Sequence, residues 1–200
     1  MLGFARAEEV ERYRAAAAAT GTLDLRVIYP FLHLTAQELE HALDGADALL
    51  LPGGFGVLSL VEPTARVSEV NWLRDRLELA LLQRATRSGQ RVLAVCRGME
   101  LVTVAYGGRL DRMSAPHRET WTEVSVAPGS ALSRCVPAGT ARVYCNHRTH
   151  VTGMPPGFAA TARDGLGQIE AMEAEELPIL ATQFHPERSD LLGVYRWLAL

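Results

Sequence analysis

Cysteine is scarce in this chain, and the three present, Cys96, Cys135 and Cys145, form no Cys-x-x-Cys pair. A small, odd and scattered set excludes a disulfide framework and points to a reducing compartment. Long apolar runs are also missing. No stretch approaches the roughly 18–20 apolar residues of a membrane span. Met1 to Arg14 is charged from Arg6 onward and lacks the apolar core of a signal peptide. Charge of one sign is absent too, since 20 Lys+Arg stand against 23 Asp+Glu. That interspersed balance gives no electrostatic footprint for nucleic acid or an anionic membrane. No internal repeat, low-complexity linker or domain boundary interrupts the chain. What remains is a cytoplasmic globular protein, and 200 residues, 48% of them hydrophobic, suffice for one α/β domain over 1–200.

The first half alternates strand and helix. Leu2-Gly3-Phe4 reads as a short strand, and Ala7 to Ala19 as a helix by its alanine run. Leu25 to Tyr29 reads as a second strand, and Thr35-Ala36-Gln37-Glu38 as a capping box opening a helix to Leu43. Ala48 to Leu51 is a buried strand ending in Pro52-Gly53-Gly54, and Asn71 to Ser88 is a long amphipathic helix. Val92 to Val95 is the central strand. This order predicts a parallel sheet covered by helices on both faces, with reactive groups at the strands' carboxyl ends. After Gly107-Gly108 come short strands, Thr122 to Val126, Arg142 to Cys145, Ala159 to Arg163 and Ile169 to Met172, expected as antiparallel pieces at the sheet's edge. Ile179 to Phe184 returns as a buried strand, and Asp190 to Leu198 reads as the last helix.

Cys96 follows the central strand, and Met99, Leu101, Val102, Val104 and Ala105 follow it at helical spacing. A cysteine at such a bend is expected to expose its sulfur and to sit at a helix N-terminus, which favours the reactive thiolate. Gly98 allows close approach of a backbone or substrate. His185 comes immediately after another strand, and Glu187 two residues later across Pro186. A carboxylate so placed can hold one imidazole nitrogen while the other faces the sulfur. The Gly53-Gly54 loop and the Arg97 N–H offer two donors for an oxyanion.

Leu51-Pro-Gly-Gly-Phe-Gly56, Val95-Cys-Arg-Gly-Met99 and Thr182-Gln-Phe-His-Pro-Glu187, in this order, resemble the class I glutamine amidotransferase superfamily over most of the chain. The resemblance implies a flavodoxin-like three-layer sandwich, a mainly parallel sheet with a small antiparallel addition. It implies Cys96 as nucleophile, His185 as base, Glu187 as its orienter, and the Gly54 and Arg97 amides as oxyanion hole. The implied chemistry is cleavage of a γ-glutamyl amide through a γ-glutamyl thioester, with no cofactor. Arginine after the nucleophile is similar to the stand-alone γ-glutamyl hydrolases of the peptidase C26 branch. The Pro-Gly-Gly-Phe-Gly loop instead resembles the glutaminase domain of CTP synthase, and so keeps open a glutaminase working with a synthase partner, or a non-catalytic relative.

The superfamily has glutamine where this chain has Glu100, one helical turn beyond the nucleophile. The resemblance places Glu100, with Gly53 and His147, on the substrate side, and His117-Arg118-Glu119 and Asn146 more loosely there. The substrate implied is a small γ-glutamyl amide or glutamine. Cys145-Asn146-His147-Arg148-Thr149-His150 is the one rival site. Strand alternation puts Cys145 and His147 on one face and His150 on the other. A substrate-side loop with one surface histidine is the expectation there, and no metal.

Overall fold

The computed structural model describes residues 7–28, 44–57, 69–136 and 139–200. The expected strand at Leu2–Phe4 and the helix at Thr35–Leu43 lie outside them. In chain order the elements are α1 (Ala7–Ala19), β1 (Ala48–Leu51), α2 (Glu69–Arg87), β2 (Arg91–Val95) and α3 (Arg97–Ala105). There follow β3 (Arg109–Val126), α4 (Ala131–Cys135), β4 (Gly139–Gly153), β5 (Phe158–Asp164), β6 (Ile169–Ala174), β7 (Ile179–Thr182) and α5 (Gly193–Arg196).

The strands form one seven-stranded sheet in the order β1-β2-β7-β6-β5-β3-β4. β1, β2 and β7 are parallel neighbours, with Leu51 opposite Ala94 and Val95 opposite Thr182. Beyond β7 every pairing is antiparallel. Alternation along β2 builds the layers. Leu93 and Val95 join Tyr13 and Ala16 of α1 and the C-terminal Tyr195 and Trp197 in one core. Val92 and Ala94 face the other way, onto Leu81, Leu82 and Ala85 of α2 and Met99 and Val102 of α3. Both faces are therefore dry, as a strand with an uninterrupted apolar sequence requires. The fold is α/β and flavodoxin-like.

Three expectations are corrected. Leu25 to Ile28 has no strand assignment, although Leu25 and Ile28 pack against the cores; the run signals burial and not pairing. The pieces read at 122–126 and 142–145 are parts of two long partners, β3 and β4. Polar residues facing outward along them hid their length. The final helix expected at Asp190–Leu198 is not continuous: after a separate 3-10 turn at Pro186–Arg188 come the four-residue α5 and a second 3-10 turn at Trp197–Ala199. Asp190, at φ 52°, turns the chain out of the helical region between the first two.

Candidate active site

The parallel register brings three carboxyl ends side by side: the Pro52–Gly54 loop after β1, Cys96 after β2 and His185 after β7. Cys96 is held at φ 50° and ψ -104°, a strained conformation for a residue with a side chain. Its N–H is fixed by the Thr182 carbonyl at 2.6 Å, and its carbonyl accepts from the Glu100 N–H inside α3. Gly98 is obligatory here because a Cβ would run into the Leu51 backbone. The sharp turn is as the sequence indicated, but the sulfur is not exposed. Cys96 is 3% accessible, with its Sγ 4.0 Å from the Asn146 carbonyl oxygen and 3.9 Å from Gln183 Nε2.

His185 packs beside it, close enough for a Cys96 thiolate to attract the charged imidazole. Its Nδ1 meets Glu187 Oε1 at 2.6 Å, and Tyr195 Oη donates to Glu187 Oε2 at 3.2 Å. The His185 backbone is pinned as well, its N–H to the Tyr144 carbonyl and its carbonyl to Ser189 Oγ. Burial disfavours charge on this imidazole. The Cys96 thiolate beside it and Glu187 behind it outweigh that cost and raise its pKa to about 10. Cys96, His185 and Glu187 thus form one buried chain of contacts.

The loop opposite is fixed by residues that sequence reading missed. Tyr13 Oη accepts from the Gly53 N–H at 2.8 Å. A Cβ on Gly53 would stand 2.8 Å from His185 Cε1, so only glycine fits between His185 and Tyr13. Arg74 donates to the carbonyls of Pro52 at 3.1 Å and Gly53 at 2.9 Å. Arg74 also pairs with Glu78 at 2.6 Å, and Glu78 and Asp75 bind the buried guanidinium of Arg97. The Arg97 side chain is therefore turned away from substrate, while its backbone N–H lies at the first turn of α3. No sequence signal marked Arg74, Asp75 or Glu78, because charged residues on a long helix ordinarily face water. Gly54 is exposed at φ 148°, and a Cβ there would run into the Arg74 guanidinium.

The substrate-side expectations fall elsewhere. Glu100 is 3% accessible; one oxygen takes the Thr149 hydroxyl and the other the Val57 N–H at 3.4 Å. Burial raises its pKa against those two hydrogen bonds. The 145–150 segment is strand and not loop, and Cys145 and His147 do share one face. His147 is buried and not a surface residue. Its Nδ1 lies 2.9 Å from the Thr149 carbonyl, and its Nε2 lies 3.1 Å from His117 Nδ1 and 3.3 Å from Glu170. Arg118 is exposed. Glu100 and Gly53 thus have their polar atoms occupied by the protein itself, and His147 faces His117 and Glu170.

Comparison with known proteins gives the same family as the motifs. The Peptidase C26 family model matches residues 5–187. The chain belongs to the peptidase C26 family. C26 proteins sit among the glutamine amidotransferase-like cysteine hydrolases. YvdE of Lactococcus lactis, whose name describes it as glutamine amidotransferase-like, is 30% identical over 76% of this chain and 70% of its own. One component of the glutamine-hydrolysing GMP synthase of Methanopyrus kandleri is 32% identical, over 48% of this chain and 51% of its own. A crystal structure of a GMP synthase component from Thermoplasma acidophilum superposes on this C26 chain with TM-score 0.75. It is 20% identical and covers 98% of this chain and 89% of that one, a likeness of fold. Among the described residues no helix is long and apolar enough to cross a membrane.

Proposed function

We propose that this C26 protein is a stand-alone γ-glutamyl hydrolase. The observation that carries the reading is His185 at the strand ends, hydrogen-bonded to Glu187 on one side and packed beside Cys96 on the other. The Cys96 sulfur attacks the γ-carbonyl carbon, and the oxyanion is received by the Gly54 and Arg97 N–H groups. His185 gives its proton to the departing amine as the carbon–nitrogen bond breaks. Water then attacks the thioester, His185 takes a proton from it, and glutamate leaves as the carbon–sulfur bond breaks. Arginine at position 97 supports the stand-alone reading by resemblance. A cytoplasmic setting suits a nucleophile that must stay reduced.

A second reading rests on the relatives named as components of GMP synthase: a glutaminase that supplies ammonia to a synthase partner. Incubating the purified protein alone with glutamine and a panel of γ-glutamyl amines, and measuring glutamate release, separates the two. Turnover of a γ-glutamyl amine without any partner is the expected result. Negligible turnover of every amide alone, followed by strong activation by a copurifying synthase, replaces it with the glutaminase.

A further inference from the structure

Under the antiparallel half of the sheet lies a cluster that the proposed reaction does not use. β3 and β4 pair His117 directly with His147, between two irregularities of register that re-aim the β3 side chain. Cys145 lies two residues before His147 on the same face, and Glu170 comes from β6. One ligand atom from each of His117, Cys145, His147 and Glu170 falls within 4.8 Å of all the others. Cys145, His147 and Glu170 are buried, Glu170 completely.

We infer that His117, Cys145, His147 and Glu170 form a binding site for a zinc-like divalent transition metal ion. Bonds of roughly 2.0–2.3 Å from nitrogen, oxygen and sulfur to tetrahedral zinc place neighbouring ligand atoms about 3.3–3.7 Å apart. The separations found are 3.1 Å for His117 Nδ1 to His147 Nε2, and 3.3 and 3.5 Å from Glu170 Oε1 to His147 Nε2 and His117 Nδ1. Cys145 Sγ stands 3.6 Å from Glu170 Oε2. His117 Nδ1, His147 Nε2 and Glu170 Oε1 already have nearly the spacing of a coordination shell, and one ligand atom from each of the four residues lies within 4.8 Å of the others.

The outer contacts suit the tautomers that ligation needs. With its proton on Nδ1, His147 donates to the Thr149 carbonyl and turns the Nε2 lone pair inward. His117 turns Nε2 toward Asp164 Oδ2 at 3.8 Å, so its inward atom is Nδ1. A proton on His117 Nδ1 can bridge the 3.1 Å to His147 Nε2, and a bound cation takes that proton's place. Glu170 Oε1, fully buried, has no well-formed hydrogen bond among the described residues and faces the same point. The set of one thiol, two imidazoles and one carboxylate selects zinc or a neighbouring transition ion over magnesium or calcium. The Cys145 thiol, pushed far up by burial and Glu170, gives up its proton when the ion binds. Such an ion ties β3, β4 and β6 together behind Asn146, whose carbonyl lies against Cys96.

The test uses the full chain, free of any histidine tag, stripped with a chelator and titrated with Co²⁺ and then with Zn²⁺. Uptake of ~1 ion per chain is expected, with a sulfur-to-cobalt charge-transfer band in the near ultraviolet. That band must persist in Cys96→Ser and vanish in Cys145→Ala. Asp164→Asn, which keeps the acceptor for the neighbouring turn, should weaken zinc retention by about 10-fold through loss of the contact behind His117. Wild-type protein that holds no cobalt or zinc after gel filtration overturns the site and leaves a histidine–glutamate ion pair. A cobalt band lost in Cys96→Ser but kept in Cys145→Ala overturns it equally, by moving the ion to the catalytic thiol.

Discussion

Arg97, the residue directly after the nucleophile, is locked in a buried ion pair with Glu78 of α2. Glu78 holds Arg74 in turn, and Arg74 grips the carbonyls of Pro52 and Gly53. The side chain after Cys96 is thus connected to the loop that faces Cys96, although neither guanidinium reaches substrate. Under the proposed reaction its contribution is rigidity between two amide donors whose spacing an oxyanion must match.

Removing one member of this network should be costly. Arg97→Met leaves Asp75 and Glu78 buried with only Arg74 to share, and a destabilisation of about 3–5 kcal/mol is expected. Urea unfolding at neutral pH measures it. Replacing Asp75 by Asn in the same protein should recover part of the loss, since burial already raises the pKa of Asp75 against the pull of Arg97. Unchanged stability in Arg97→Met would show that the ion pair contributes nothing net.

The three cysteines should react very differently. Cys135 and Cys145 are held as thiols, their pKa values raised first by burial, whereas Cys96 sits against a protonated His185. A glutamine-derived electrophile such as diazo-oxo-norleucine should therefore label Cys96 and spare the others. Peptide mass spectrometry reads the outcome, and label on Cys145 with Cys96 untouched would reverse the assignment.

The pH profile reports the His185 proton. With its folded pKa raised to about 10, the imidazolium, and the stabilising contact it makes, persist well past the ordinary histidine range near 6.5 and are lost as pH rises through 10. Glu187→Gln removes one attraction for the charged ring, so the alkaline limb of Cys96 alkylation should move to lower pH. His185→Ala should abolish that limb and reduce turnover more than Glu187→Gln does. A limb that stays in place in both variants means that His185 is not the titrating group.

Glu100 carries a stability prediction of its own. Burial raises its pKa above the usual 4.5, so the folded state keeps a proton that the unfolded chain has released. Its stabilising share is complete below about 4.5 and is lost as pH rises through the folded value. Gln at this position can accept from Val57 and donate to Thr149 Oγ1, with no charge to desolvate. Glu100→Gln should therefore melt at or above the wild-type Tm at pH 8, with the difference shrinking toward pH 4. A variant that is less stable at every pH would show that the ionised carboxylate is itself required.

The sequence determined the layers and the placing of Cys96, His185 and the Gly53–Gly54 loop at strand ends because both are written locally. Four apolar residues before Cys96, Gly98 after it and Pro186 between His185 and Glu187 are short-range signals that set burial, bend and reach. Strand order at the carboxyl ends then left few places for them to meet. Tertiary structure decided what long-range contacts alone can set. Nothing in residues 74–78 announces that Arg74 and Glu78 turn inward, because a charged residue on a helix has water as its default partner. That default is displaced here only by the buried Arg97 and by carbonyls 21 and 22 residues upstream. Likewise His117 and His147 stand thirty positions apart in the chain, and only the register of β3 against β4 sets them face to face over Glu170. Local sequence carries periodicity and turn chemistry, while partner choice among buried polar groups depends on a packing that exists only once the sheet has formed.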